Sequence, residues 1–173
     1  MRLSYLIALL LIPTLLAAQD KPAPIKLASL VPVKIDTILV EKQKHLMTVF
    51  YKNKPLKSYR IALGFSPNGH KLHEGDGRTP EGVYYIQAKN PFSKFHLSLK
   101  LSYPSPQDQQ KANLQGIKPG GNIMIHGLAQ HMKDKGKWHA MRDWTLGCIA
   151  VTNEEIEEIF QHAQVGTKVE IIP

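Results

Sequence analysis

With 173 residues the chain has room for one domain of ordinary size and a short extension, and its 43% hydrophobic content suffices for a buried core. Lys and Arg outnumber Asp and Glu by 22 to 14, yet Lys42, Lys44, Lys52, Lys54, Lys57, Lys133, Lys135 and Lys137 lie scattered in polar stretches. The absence of a basic helix or aromatic-interleaved run argues against a nucleic-acid reader; the charge suits an anionic envelope polymer, a membrane surface or simply a solvated exterior.

Met1-Arg2 is followed by an almost wholly apolar run from Leu3 to Leu16, then by Ala17-Ala18 and the polar Gln19-Asp20. This is the layout of a secretory leader cut after Ala18, and the run is shorter than the roughly 20 residues of a membrane span. The expectation is a leader over residues 1–18 and an exported protein of the periplasm or cell envelope, with an uncleaved anchor as the alternative. Pro22, Pro24 and Pro32 make residues 19–34 a connection, which leaves residues 35–173 as the folded domain.

Residues 35–40 and 45–51 are rich in β-branched and aromatic side chains and flank a charged turn. Asn53-Lys54-Pro55 predicts a second turn and residues 58–63 a third strand, together an antiparallel meander. Gly64, Pro67, Gly69, Gly75, Gly77, Pro80 and Gly82 mark a long loop. Residues 83–86 resume a strand, and Phe95, Leu97, Leu99, Leu101 and Tyr103 alternate with polar residues, as a half-buried strand requires. Ser105-Pro106 opens a short helix toward Leu114, and a brief apolar run over residues 122–125 delivers His126-Gly127. Thr152 with Glu155 forms a capping box for a helix carrying Ile156, Ile159, Phe160 and Ala163, which Gly166 stops before a last strand over residues 168–172. The expected class is mainly β with one or two short helices.

Cys148 is the chain's one cysteine. In an exported protein an unpaired cysteine is an intermolecular bridge, a reactive thiol or a buried filler. Its setting, Asp143-Trp144-Thr145-Leu146-Gly147-Cys148 just ahead of a capped helix, favours the reactive thiol. His126 at a strand end supplies a base, and an adjacent imidazolium lowers a thiol pKa. N–H groups around Gly147 and Cys148 are placed to hold a developing oxyanion. His70 and His73 in the glycine loop, and His131 and His139 in the polar connection before Cys148, lack a third partner at ligand spacing, so no metal site is expected.

The ordered set Thr79-Pro80-x-Gly82, His126-Gly127 and Thr145-x-Gly147-Cys148 resembles the YkuD-type L,D-transpeptidase catalytic domain over about residues 35–172. Asp143-Trp144-Thr145 and the tail Ala150-Val151-Thr152-Asn153 resemble its YafK-like branch, associated in part with cleaving the wall linkage. The resemblance implies a mainly β, sandwich-like domain in which Cys148 attacks an amide of a peptidoglycan stem peptide and His126 is the base. The Gly127 carbonyl would orient His126, while Gly147, Thr145, Arg142 and Trp144 would serve oxyanion or substrate binding. No cofactor is implied. Transfer to an acceptor amine is the leading expectation. Hydrolysis of a wall amide, including that of an attached lipoprotein, and a non-catalytic wall-binding module are the alternatives. Leu146 stands where the family motif has a histidine and Ala150 where many members have an arginine, so Arg142 is the candidate replacement cation.

Overall fold

A computed structural model describes residues 34–173, so the expected leader over residues 1–18 and nearly all of the expected connection over residues 19–34 lie outside the described residues. β1 (Ile35–Glu41), β2 (Leu46–Tyr51) and β3 (Lys54–Arg60) form the expected antiparallel meander. The turn between β2 and β3 is tighter than the sequence suggests. Lys52 and Asn53 both take positive φ, 49° and 62°, and close a two-residue hairpin, so Pro55 falls inside β3. Pro is tolerated there because β3 is an edge strand with one unpaired side.

β4 (Gly82–Ser93) and β5 (His96–Leu101) form a long hairpin, α1 (Pro106–Leu114) follows with the Ser105–Asp108 capping box, and β6 (Met124–His126) and β7 (Ile149–Ala150) are short. α2 (Asn153–His162) starts on the predicted Thr152–Glu155 box. It ends four residues before Gly166, because Ala163 already opens β8 (Ala163–Ile172), whose Ala163, Thr167, Val169 and Ile171 are buried in turn.

The strands run in the order β3-β2-β1-β8-β4-β5-β6-β7, with β8 parallel to β1. β4 is shared: Gly82 to Tyr85 pair with β8 and Ile86 to Ser93 with β5, so the sheet turns a corner along one strand. The two ends of the order then meet. Beyond β3, Ala62 exchanges both backbone hydrogen bonds with Ala150 of β7, at 3.1 and 2.9 Å. Ile38, Met47, Ile61, Ile86, Leu99, Ile125, Ile149, Ile156 and Val169 fill the interior of this curl. The mainly β, sandwich-like class expected from the sequence is the observed one, as a curled sheet of eight strands.

Two segments depart from the expected loops. Residues 64–81 carry no strand or helix but are built around two ion pairs: buried Lys42 with half-buried Glu81 at 2.8 Å, and buried Lys71 with Asp76 at 2.7 Å. The Asp76 carboxylate also accepts the N–H groups of Leu72, His73 and Arg78. The polar connection before Cys148 is a 3₁₀ segment, Gln130–Met141, broken at Gly136 (φ 46°). Its one buried residue is His139.

Candidate active site

The site lies where the curl closes. β6 pairs antiparallel with β5, placing His126 opposite Ser98, and parallel with β7, placing His126 opposite Ala150. Side chains alternate along a strand, so Cys148, two residues before Ala150, emerges on the face that His126 shares. Both line one cavity of about 360 Å³ with Phe95, Asn122, Trp144 and Leu146.

His126 Nδ1 lies 2.7 Å from the Gly127 carbonyl. A carbonyl only accepts, so Nδ1 holds the proton and the Nε2 lone pair is left to take one from a thiol. Gly127 must be glycine: a Cβ there would stand 2.7 Å from Asn153 Oδ1 and 2.8 Å from Ile156 Cγ2. The first turn of α2 thus packs against bare backbone. Asn153 Oδ1 accepts the Leu128 N–H at 2.7 Å, and the Gly127 N–H donates to the Leu97 carbonyl at 3.2 Å. Held on both sides, the Gly127 carbonyl has one direction to point. Phe95 stacks on the imidazole at 4.4 Å between centroids, and Trp144 meets it edge-on at 5.9 Å. Burial pushes His126 below the ordinary imidazole value, against the opposing pull of the Gly127 carbonyl.

The cysteine loop is pinned from below. Asp143 accepts the Leu63 N–H at 2.8 Å and pairs with His45 Nε2 at 2.9 Å. Buried Thr145 donates its hydroxyl to the Cys148 carbonyl at 2.8 Å and accepts the Gly147 N–H at 3.1 Å. Gly147 has φ 127°, and a Cβ there would meet the Arg78 carbonyl at 2.6 Å, so no other residue fits. Cys148 is half-buried, with its thiol 3.5 Å from the Asn122 carbonyl. Burial pushes the thiol up, while the Met124 N–H and the Lys71 ammonium oppose this.

Burial acts on both groups toward their neutral forms, and so works against the imidazolium–thiolate pair that the sequence suggests. The Gly147 N–H is also spent on Thr145, which leaves the Cys148 N–H, without a partner among the described residues, as the loop donor open to an oxyanion.

The structure brings together Cys148, His126, Gly127, Gly147, Thr145 and Trp144. Arg142 stands apart: it is exposed and lines a neighbouring cavity instead of the one holding Cys148. Leu146 sits at the mouth, 76% exposed. Phe95, Asn122, Asn153 and Lys71 are site neighbours that sequence reading missed. Phe95 reads only as one apolar position of an alternating strand, and Asn153 as the residue after a helix cap. Among the described residues no group of three or more His, Cys, Asp or Glu side chains is arranged to hold a metal ion.

A family model, YkuD, described as the L,D-transpeptidase catalytic domain, matches residues 35–171. Over 108 residues the chain is 31% identical to YafK of Escherichia coli (strain K12), which carries an L,D-transpeptidase name; the match covers 61% of this chain and 36% of YafK. The fold is similar to that of the helical cell shape determining protein Pgp2 from Campylobacter jejuni, with TM-score 0.61, 26% identity, and coverage of 80% of this chain and 48% of that one. An L,D-transpeptidase from Mycobacterium smegmatis shares the fold at TM-score 0.53 and 13% identity, over 79% of this chain and 58% of that one. The chain thus spans about a third of YafK and half of Pgp2. A curled eight-stranded sheet and a family match over nearly all of the described residues lead to one conclusion: this chain belongs to the YkuD family of L,D-transpeptidase catalytic domains.

Proposed function

We propose that this chain is an exported cysteine L,D-transpeptidase that works in the periplasm or cell envelope on peptidoglycan stem peptides. The observation that carries the proposal is the meeting of Cys148 with a carbonyl-anchored His126 on the wall of one cavity. The leader-like start and the basic surface support the location.

In the first half-reaction the Cys148 thiol gives its proton to His126 Nε2 as sulfur bonds to the amide carbonyl carbon. The oxyanion takes the Cys148 N–H. Collapse breaks the C–N bond, the leaving amine carries off the proton from His126, and a thioester remains on Cys148. In the second half an acceptor amine gives a proton to His126 and attacks the thioester, and the thiolate leaves and recovers that proton. The Phe95 and Trp144 rings pack on His126 and contribute to the burial that favours its neutral form.

A second reading is hydrolysis, in which water replaces the acceptor amine. Leu146 favours it: an exposed aliphatic side chain at the cavity mouth offers no polar group to hold an incoming amine. The amide linking a lipoprotein to the wall is a substrate of this type. Either activity on wall peptides would bear on cell shape, the property named for Pgp2.

The test incubates the protein with purified tetrapeptide muropeptides and with wall material carrying attached lipoprotein, read by mass spectrometry. A cross-linked or exchanged product that disappears in Cys148→Ala is expected. Release of peptide or lipoprotein with no new bond would establish the hydrolase, and no reaction on either substrate would leave a wall-binding module.

A further inference from the structure

Beside the Cys148 cavity lies a second one, of about 640 Å³, lined by Met132, Lys135, Trp138, His139, Met141, Arg142 and Trp144. Trp144 belongs to both, so the two cavities adjoin across its ring. The second is unfinished in a way that native interiors avoid. His139 is 4% exposed, and neither of its ring nitrogens has a hydrogen-bond partner. The buried Trp144 indole N–H has none either. Polar atoms left unpaired at such depth point to a partner that arrives from outside the chain.

The chemistry of the lining names that partner. Lys135 and Arg142 are cations with no carboxylate partner among the described residues. The nearest acid in sequence to Arg142, Asp143, is occupied by His45 and the Leu63 N–H. The indole is a donor only, and a neutral imidazole offers one donor. Met132, Trp138 and Met141 supply apolar walls, with Trp138 and Met141 open to solvent at 76% and 71% exposure. Donors and positive charge over aliphatic and aromatic walls suit an anionic acceptor on a short hydrocarbon arm.

We propose that this cavity is a carboxylate subsite, taking a free carboxylate of the same peptide whose amide lies at Cys148. The proposal rests on the stem-peptide reading above. It gives Arg142 a place that the Cys148 cavity does not, and it assigns His139, Trp138 and Lys135 to substrate recognition. A bound carboxylate accepts from the Trp144 indole N–H and from the protonated ring nitrogen of His139.

Trp138 and Trp144 are the two tryptophans of the chain, so intrinsic fluorescence reports this cavity directly. The full chain carrying Cys148→Ala, which binds without turnover, is titrated with stem tetrapeptide as free acid and with its carboxyls amidated. The free acid is expected to bind about tenfold more tightly, the scale of one charge-assisted contact. Adding Arg142→Gln or His139→Phe should erase that preference, chiefly by weakening the free acid. Arg142 is exposed, so its variant retains the fold even if the His139 variant does not. Equal affinity for both peptides, or a preference that survives Arg142→Gln, would overturn the subsite and leave the stem-peptide reading standing. No binding of either peptide, together with no turnover by the unsubstituted chain, would overturn both.

Discussion

Asn153 shows how a residue outside the lining of the Cys148 cavity can set the hydrogen bonding of His126. Its Oδ1 holds the Leu128 N–H, and this contact with the Leu97 carbonyl bond fixes the peptide on either side of Gly127. Removing it frees the Gly127 carbonyl, and with it the one acceptor that keeps the proton on His126 Nδ1. Asn153→Ala should therefore lower kcat by about a hundredfold, the scale expected when a catalytic group is misplaced by an ångström, with KM nearly unchanged. The loss of one buried hydrogen bond should cost only about 1 kcal/mol in denaturant unfolding. Asn153→Asp, which keeps an acceptor oxygen, should recover most of kcat. Steady-state kinetics of the three proteins checks this, and a fall in KM affinity with kcat intact would contradict it. Cys148 and His126, which the fold brings to one cavity, were legible as candidates because a lone cysteine and a strand-end histidine carry their own signals; Asn153 and Phe95 were not, because their contacts arise only from packing across distant strands.

At the scale of elements, the 3₁₀ segment Gln130–Met141 is the part that sequence patterning reads least well. Its polar composition and three lysines look like solvated loop, yet it inserts His139 against the site. No periodicity announces a single inward residue in a short irregular helix. Burial, and then the nearby charge of His126, lower His139 from 6.5 to about 4. The sign follows from proton counting. The unfolded chain binds a proton at this histidine near pH 6.5 and the folded chain only near 4, so folding stability should decline as pH falls through that interval. His139→Phe removes the titration and the two unpaired nitrogens together. It should lessen the decline between pH 6.5 and 4, leaving the share that His126, lowered by burial in the same direction, still carries, and match or exceed the parent's stability in that range, as thermal unfolding across pH will show. By contrast α2 and the β1–β3 meander were legible from capping residues and β-rich runs. The error at Pro55 came from reading Pro as the turn, when the positive-φ pair Lys52-Asn53 makes it.

For the whole molecule, the decisive feature is closure. Strand type could be read along the chain, but the order β3-β2-β1-β8-β4-β5-β6-β7 pairs segments more than a hundred residues apart, which local pattern does not encode. Bending within β4 and the Ala62–Ala150 bridge bring both ends of that order together, and Cys148 and His126 sit at the resulting seam. The glycine loop, braced by Lys71 and Asp76, closes the floor beneath Gly147 through the Arg78 carbonyl. The site is thus a product of the closed sheet, and its central claim is a covalent one: acyl transfer through Cys148. The most direct measurement is intact-protein mass spectrometry of the full chain, acid-quenched soon after mixing with stem tetrapeptide. The expected result is a mass increase equal to the acyl part of the peptide, mapped to Cys148, absent in Cys148→Ala and slow to form in His126→Ala. Turnover of the peptide with no adduct on Cys148, or by the Cys148→Ala protein at the parent's rate, would contradict the account.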